Sequence, residues 1–310
     1  MSTPLRRTAA VLAGATLTLG LLAACGDDDP RPTAGDPATT GTTTAPTGAT
    51  DGTDATDAPT DSGSATPESP DPEVIPVYYV GDAPRGDVLF REFSQASGVA
   101  PLVAAAAAVT AGDPIDPDYR TLWPGGRFAG VEQTSDAIVV DVADRTWLQR
   151  GRLDRAQARL AIQQLVYTLQ GVAGERLPVR VTLDGAPATT LLGVPVRTGF
   201  TAAPELDVLA LVNITEPAEG SAVSGTFTAT GRASSFEATV PWVLENAAGK
   251  EVLRGFSNAE GWVDKLYPWE TSVDVSALKP GRYTFVARTD DPSNGEGGGP
   301  TEDTKRITIE

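Results

Sequence analysis

Residues 153–172 read LDRAQARLAIQQLVYTLQGV. Ala158, Ile162, Leu165 and Leu169 recur at intervals of three and four, the spacing that lines one face of an α-helix, while Arg155, Arg159, Gln163 and Gln170 fall elsewhere. Gly171 and Gly174 supply the stop. The segments on either side change period. Upstream, RFAGVEQTSDAIVVDVAD (127–144) reads as two strands around a Thr-Ser-Asp turn, with Ile138, Val140 and Val142 on one face. Downstream, LPVRVTLDG (177–185) and TTLLGVPV (189–196) read as further strands. Farther upstream, VIPVYYVGD (74–82) is a β-branched and aromatic run with DVLFREFSQ (87–95) as its hairpin partner. PLVAAAAAVTAGDP (101–114) opens on a proline suited to a first helical turn and closes at Gly112 and Pro114. Two helices on one face of a mostly antiparallel sheet make an α+β domain over residues 74–203.

After TAAPELD (201–207) the pattern becomes all-β. LALVNI, GTFTATGRA, EATVPWVLEN, KEVLRGFS, ETSVDVSA, GRYTFVART and TKRITIE are seven short strands with Gly, Pro and Asn between them, which predicts an immunoglobulin-like sandwich over 204–310. It has no inter-sheet disulfide, so Trp242, among Val240, Val243 and Leu244, is expected to fill much of the core.

Before residue 74 the composition excludes a packed core. From Gly26 to Glu73 there is no aromatic residue and no Leu, Ile or Val, so residues 25–73 are expected to form a disordered acidic tether rich in Thr, Pro, Gly and Ala. Eleven acidic residues against Arg31 give residues 26–73 a net charge of −10. Residues 74–203 carry 13 acids and 12 bases, and residues 204–310 carry 17 and 9, so the acidity sits in the tether and the last domain. A nucleic-acid partner is not expected of such a chain. Residues 1–24 have the anatomy of an export signal: Arg6 and Arg7, then an uncharged stretch rich in Ala, Leu, Val and Gly.

The sole cysteine closes that leader. Leu22-Ala23-Ala24-Cys25 resembles the bacterial lipobox, in which the cysteine sulfur receives a diacylglycerol and cleavage falls just before it. Lipid on Cys25 would anchor the chain in a membrane. An uncleaved helix and ordinary cleavage leaving a free thiol are the competing readings. The chain has no histidine and no cysteine besides Cys25, so Cys/His zinc sites, His-dependent nucleophile systems and disulfide frameworks are all excluded. No metal and no cofactor is expected. Arginines outnumber lysines 20 to 4, which fits a high-GC bacterial genome.

Several of these segments carry a family resemblance. VYYV, the first helix ending in AGDP, IVVDVA, LVYTL and VTLDG resemble the GerMN domain of sporulation and spore germination. ITEPAEGSAVSG (214–225), FEATVPWVLENAAGKEVLRG (236–255) and LKPGRYTFVA (278–287) resemble the Gmad-type immunoglobulin-like domain of bacterial spore germination. The resemblance implies an extracytoplasmic, envelope-associated protein and brings no catalytic residues with it.

Three segments are candidate sites. DRTWLQRGRLDRAQAR (144–159) gathers Arg145, Arg150, Arg152, Arg155 and Arg159 around Trp147, a set suited to an anionic polymer, a lipid headgroup or an acidic partner, or else a solvated helix start with its tryptophan in the core. Trp262, Tyr267 and Trp269 in GFSNAEGWVDKLYPWE (255–270) suit a peptide or a sugar ring, or else the sandwich core. TDDPSNGEGGGPTED (289–303) has carboxylates in number but fits no EF-hand spacing and reads as a hairpin connection. Asn213-Ile214-Thr215 matches a glycosylation acceptor only formally. The expected protein is a non-catalytic lipoprotein on the outer face of the plasma membrane of a high-GC Gram-positive bacterium. It would hold membrane lipid through Cys25 and bind or scaffold envelope proteins or cell-wall polymers. The alternative is a cell-wall-active hydrolase using paired carboxylates.

Overall fold

The computed structural model describes residues 72–292, 295, 296 and 298–310. The leader with Leu22, Ala23, Ala24 and Cys25, the tether up to residue 71, and Asn294 lie outside the described residues.

Strands β1 (Glu73–Gly81) and β2 (Val88–Ala96) form the expected hairpin, in register from Glu73↔Ala96 to Gly81↔Val88. The run VYYV is apolar without alternation because β1 is covered on both faces. Ile75, Val77 and Tyr79 belong to the main core, whereas Tyr78 and Val80 face a second cluster with Leu89, Leu160, Tyr167, Leu209 and Leu266. The outer edge of β1 is occupied as well: Tyr78 N–H donates to Thr168 Oγ1 (2.9 Å), and Val80 exchanges backbone hydrogen bonds with Arg120. These bonds cover the second half of that edge, around Tyr78 and Val80.

Helix α1 (Pro101–Ala111) starts on its proline and ends at Gly112, whose φ of 64° is the left-handed cap that glycine adopts without a Cβ penalty. Its alanines let it lie close to β1, with Ala105, Ala106 and Val109 buried. Helix α2 (Arg155–Ala173) opens with a capping box: Asp154 accepts from Gln157 N–H while the Gln157 side chain accepts from Asp154 N–H. Ala158, Ile162, Leu165 and Leu169 are buried, as their spacing predicts. So are Gln164, Thr168 and Gln170, because α2 is enclosed on more than one side; Gln170 donates to Leu177 O (2.8 Å). Gly174 caps the helix, but Gly171 does not stop it. Gly171 is a packing residue instead, since a Cβ there would lie 2.9 Å from the Pro76 ring.

Strands β3 (Phe128–Gln133), β4 (Ile138–Val142), β5 (Val179–Leu183) and β6 (Ala186–Pro187) form a four-stranded sheet in that order. It is antiparallel except for β4 and β5, the pair that α2 connects. A small hairpin, β7 (Thr190–Leu191) with β8 (Val194–Pro195), follows. The break TAAPELD holds one helical turn, α3 (Glu205–Val208), which strand and helix periodicity are both too long to register.

The last domain is a two-sheet sandwich. Strands β9 (Val212–Glu216), β11 (Thr226–Ala233) and β14 (Tyr267–Asp274) form one sheet in the order β14-β11-β9. The other runs β10-β16-β15-β12-β13, from β10 (Ala222–Val223), β12 (Thr239–Asn246), β13 (Glu251–Asn258), β15 (Gly281–Arg288) and β16 (Glu302–Ile309). Trp242 fills the centre with Val240 and Leu244, its ring 5.7 Å from that of Phe285, and Val243 points out of this core. Gly255 makes room for the indole: a Cβ there would lie 2.3 Å from it. The fold is therefore an α+β domain followed by an immunoglobulin-like β-sandwich.

Candidate functional site

The most concentrated chemistry lies where the two domains meet. On β16, alternate residues Asp303, Lys305, Ile307 and Ile309 are buried. The two isoleucines enter the sandwich core, while Asp303 and Lys305 extend the same face over the α+β domain. There the loop after α1 brings up Asp116 and Tyr119. Glu92 fixes that loop by accepting from Ile115 N–H (2.8 Å) and Asp116 N–H (2.9 Å), and Tyr119 stacks on Phe90 with centroids 5.0 Å apart.

Lys305 spends all its donors inside this cluster, on Asp116 Oδ2 (2.5 Å), Tyr119 Oη (2.7 Å) and Asp303 Oδ1 (3.1 Å). Tyr119 donates to Asp303 Oδ1 (2.6 Å), and Asp303 Oδ2 accepts from Asn213 Nδ2 (2.8 Å) and Ile214 N–H (2.6 Å). Asp116 Oδ1 accepts from Asp118 N–H. Burial alone would discharge the Lys305 ammonium, but Asp303 and Asp116 outweigh it and hold its pKa above the ordinary lysine value. Burial, then Asp303, raises the Tyr119 hydroxyl well above the usual tyrosine value. Around the cluster, Arg91 donates to Thr215 Oγ1 (3.0 Å), and Glu205 of α3 receives Arg176 and Arg232 at 3.3 and 3.4 Å.

The candidate arginines surround the start of α2. Arg150, Arg152, Arg155 and Arg159 are exposed, whereas Arg145 is drawn aside to pair with Asp184 (3.0 Å). Trp147 is core: it sits 3% exposed in an edge-packed trio with Trp123 and Phe128, centroids 5.0–5.4 Å apart. The aromatic candidates are split. Trp269 lies in the sandwich core and is not available as a contact; it packs against Gly231 because β11 and β14 are paired there. Trp262 is exposed and packs edge-on against Phe236 (5.2 Å), and Tyr267 is half-buried beside Lys265. In 289–303, Asp303 belongs to the junction cluster and Glu302 pairs with Arg288 at 3.6 Å. Asn213 is buried against Asp303, which removes its amide from any glycosylating enzyme.

Residues 76–189 match the Germane family, sporulation and spore germination, and residues 211–296 match Gmad2, the immunoglobulin-like domain of bacterial spore germination. The chain joins a Germane domain to a Gmad2 domain. Both are sporulation and germination domains and neither is an enzyme family. Among solved structures, the chain is similar to the tandem GerMN domains of the sporulation protein GerM from Bacillus subtilis, at 13% identity over 65% of this chain and a TM-score of 0.35. It spans 62% of that protein's chain. A second likeness is to CopC from Methylosinus trichosporium OB3b, at 18% identity over 32% of this chain and 93% of that one, with a TM-score of 0.22. No curated protein matches the chain.

A cleft of about 530 Å³ runs along the Germane–Gmad2 junction, lined by Asp82, Asp118, Tyr119, Arg120, Glu302 and Asp303. Each of its carboxylates has a cation: Asp82 pairs with Arg120, Asp118 with Arg306, Glu302 with Arg288 and Asp303 with Lys305. Chemically the arrangement is a neutralised joint between two domains.

Proposed function

We propose that this Germane–Gmad2 protein is a non-catalytic lipoprotein, anchored through an acylated Cys25 at the outer face of the plasma membrane. Its two domains act as one binding or scaffolding body for envelope proteins or cell-wall polymers. The observation that carries this reading is the saturated junction. General acid–base work on a glycosidic bond needs a carboxylic acid and a carboxylate free to exchange protons across a gap of roughly 5–9.5 Å. The buried carboxylates here share one ammonium and have donors on every oxygen. Such a cluster fixes orientation between domains and leaves the outer surfaces for recognition. The lipobox and the acidic spacer that follows it support placement outside the cytoplasm, a short distance from the membrane.

Two experiments test the reading. Cys25→Ser should abolish acyl mass on the protein and move it out of the membrane fraction; a variant that stays as firmly bound as the parent overturns the anchor. Crosslinking on intact cells should recover the protein with envelope proteins or wall polymer, and turnover of purified wall polysaccharide by the protein would overturn the non-catalytic assignment.

A further inference from the structure

The charged side chains of this molecule are unevenly used. Eight arginines, Arg120, Arg145, Arg176, Arg180, Arg232, Arg254, Arg288 and Arg306, are in ion pairs. Arg150, Arg152, Arg155 and Arg159 are exposed and, among the described residues, make no ion pair or side-chain hydrogen bond; Arg127, Arg197 and Arg282 share that state singly, whereas these four stand together within ten residues. Five arginines against Asp154 give residues 145–159 a net charge of +4, in a chain whose total is −17.

Helix stability does not account for them. Arg155 stands at the first position of α2 and no acidic residue lies in its first turn, so the charge opposes the helix dipole. Arg155 and Arg159 are also like charges four residues apart on one helix, which is unfavourable by a few tenths of a kcal/mol. The scaffold beneath them is rigid. Gly151 (φ 61°) turns the chain so that Leu153 N–H reaches Arg150 O (3.2 Å), placing Arg150 and Arg152 beside the helix start. The β7–β8 hairpin clamps that turn: Leu192 N–H donates to Trp147 O (2.6 Å), Gly193 N–H donates to Leu148 O (3.1 Å), and Gly193 lies so close to Arg150 that a Cβ would meet it at 2.9 Å.

We propose that this turn and the first two turns of α2 are a docking surface for a linear polyol-phosphate polymer, gripped through its phosphodiesters by Arg150, Arg152, Arg155 and Arg159. The inference rests on the binding role proposed above and names its partner. Guanidinium groups present paired donors that match the two free oxygens of a phosphodiester, and the patch contains no lysine. Protein partners are usually held by buried aromatic or aliphatic anchors, membranes by inserted apolar side chains added to attraction by anionic lipid, and single-stranded nucleic acids by aromatic stacking. The exposed large hydrophobics among the described residues include none between Ile115 and Phe236, so the patch offers none of these. What is left is recognition by charge. Arg159 also lines a groove of mixed charge, with Arg85, Asp87, Asp154 and Asp207.

The test uses the full chain carrying Cys25→Ser, so that no acyl chain contributes, titrated with fluorescent poly(glycerol phosphate) across a salt series. Four contacts to a flexible polyanion predict a log–log salt slope of about −3, or roughly 50-fold weaker binding between 50 and 200 mM salt. Arg150→Gln, Arg152→Gln, Arg155→Gln and Arg159→Gln together should remove that binding and flatten the slope. Arg254→Gln with Arg282→Gln, exposed arginines of the Gmad2 domain, should change neither. If the quadruple variant loses its helical circular dichroism, Arg152→Gln with Arg159→Gln gives the same reading at about half the slope. Equal binding by parent and arginine variants overturns the proposal. So does tighter arginine-dependent binding of polyglutamate, of an oligothymidylate or of phosphatidylglycerol vesicles at equal charge, which would assign the patch to an acidic protein, a nucleic acid or a membrane. Because the readout is in solution, its failure leaves the fractionation and crosslinking outcomes standing, and their failure leaves this one standing.

Discussion

Replacing Lys305 by methionine keeps an unbranched side chain out to Cε and deletes the ammonium. The side chains of Asp116 and Asp303 are each 1% exposed and that of Lys305 5% exposed, so solvent cannot screen what remains. Three hydrogen bonds disappear and two carboxylates face each other without their shared cation. Removing one partner from a buried pair costs about 3–5 kcal/mol, most of it from the charge left behind. At roughly 2–4 °C per kcal/mol for a body of this size, the midpoint of thermal unfolding should fall by about 10 °C. Tryptophans in both domains, Trp123 and Trp147 in one and Trp242 and Trp269 in the other, report the transition by fluorescence. In the parent they should report a single event, and in Lys305→Met the Gmad2 and Germane signals should separate. Adding Asp116→Asn and Asp303→Asn should regain roughly 2 kcal/mol, because the uncompensated charges go with them. A loss below about 1 kcal/mol for Lys305→Met would refute the claim that this cluster joins the domains.

The same cluster sets an alkaline limit. Lys305 and Tyr119 both have folded-state pKa values above their unfolded ones, so the unfolded chain releases these protons first and stability falls as pH rises past the ordinary values of 10.0 and 10.5; urea midpoints from pH 8 to 11 should show this in the parent and a smaller fall in Lys305→Met, which loses the lysine contribution and retains that of Tyr119. Gly231→Ala would place a Cβ 2.1 Å from Asn213 O and 2.7 Å from the Trp269 ring, between two strands that cannot part, and should cost at least about 2 kcal/mol in urea unfolding. Asp154→Ala removes the acceptor of Gln157 N–H from the α2 capping box and should cost about 1 kcal/mol, read by thermal melts followed at the helical circular-dichroism band.

What the sequence revealed follows from the range of the forces involved. Helix α2 was legible because its buried positions and its terminal glycine are both local. The sandwich strands were legible because period-two alternation is local too, and Trp242 stood out as a large aromatic set within an apolar strand. Gly171 misled for the opposite reason: glycine in a helix signals a stop unless a distant chain segment, here Pro76, needs the space. Trp269 and Trp147 stayed open between surface and core, since an aromatic among charges suits either until the strands or loops around it are seen to close.

The junction shows where reading by period alone runs out. Asp303 and Lys305 continue the alternation of Ile307 and Ile309, so the strand itself indicated that two charged side chains were headed inward. A loop rich in Asp and Gly just before them drew the reading toward solvent. Their partners, Asp116 and Tyr119, stand 184–189 residues away, and no local pattern links positions that far apart. Charge conservation does give a clue of another kind. Two buried carboxylates and one ammonium on facing surfaces are tolerable only together, so a charged residue at a buried strand position demands that the fold supply its counterpart. By the same reasoning, four neighbouring arginines that the fold leaves together without counterparts point outward to a partner that carries the missing charge.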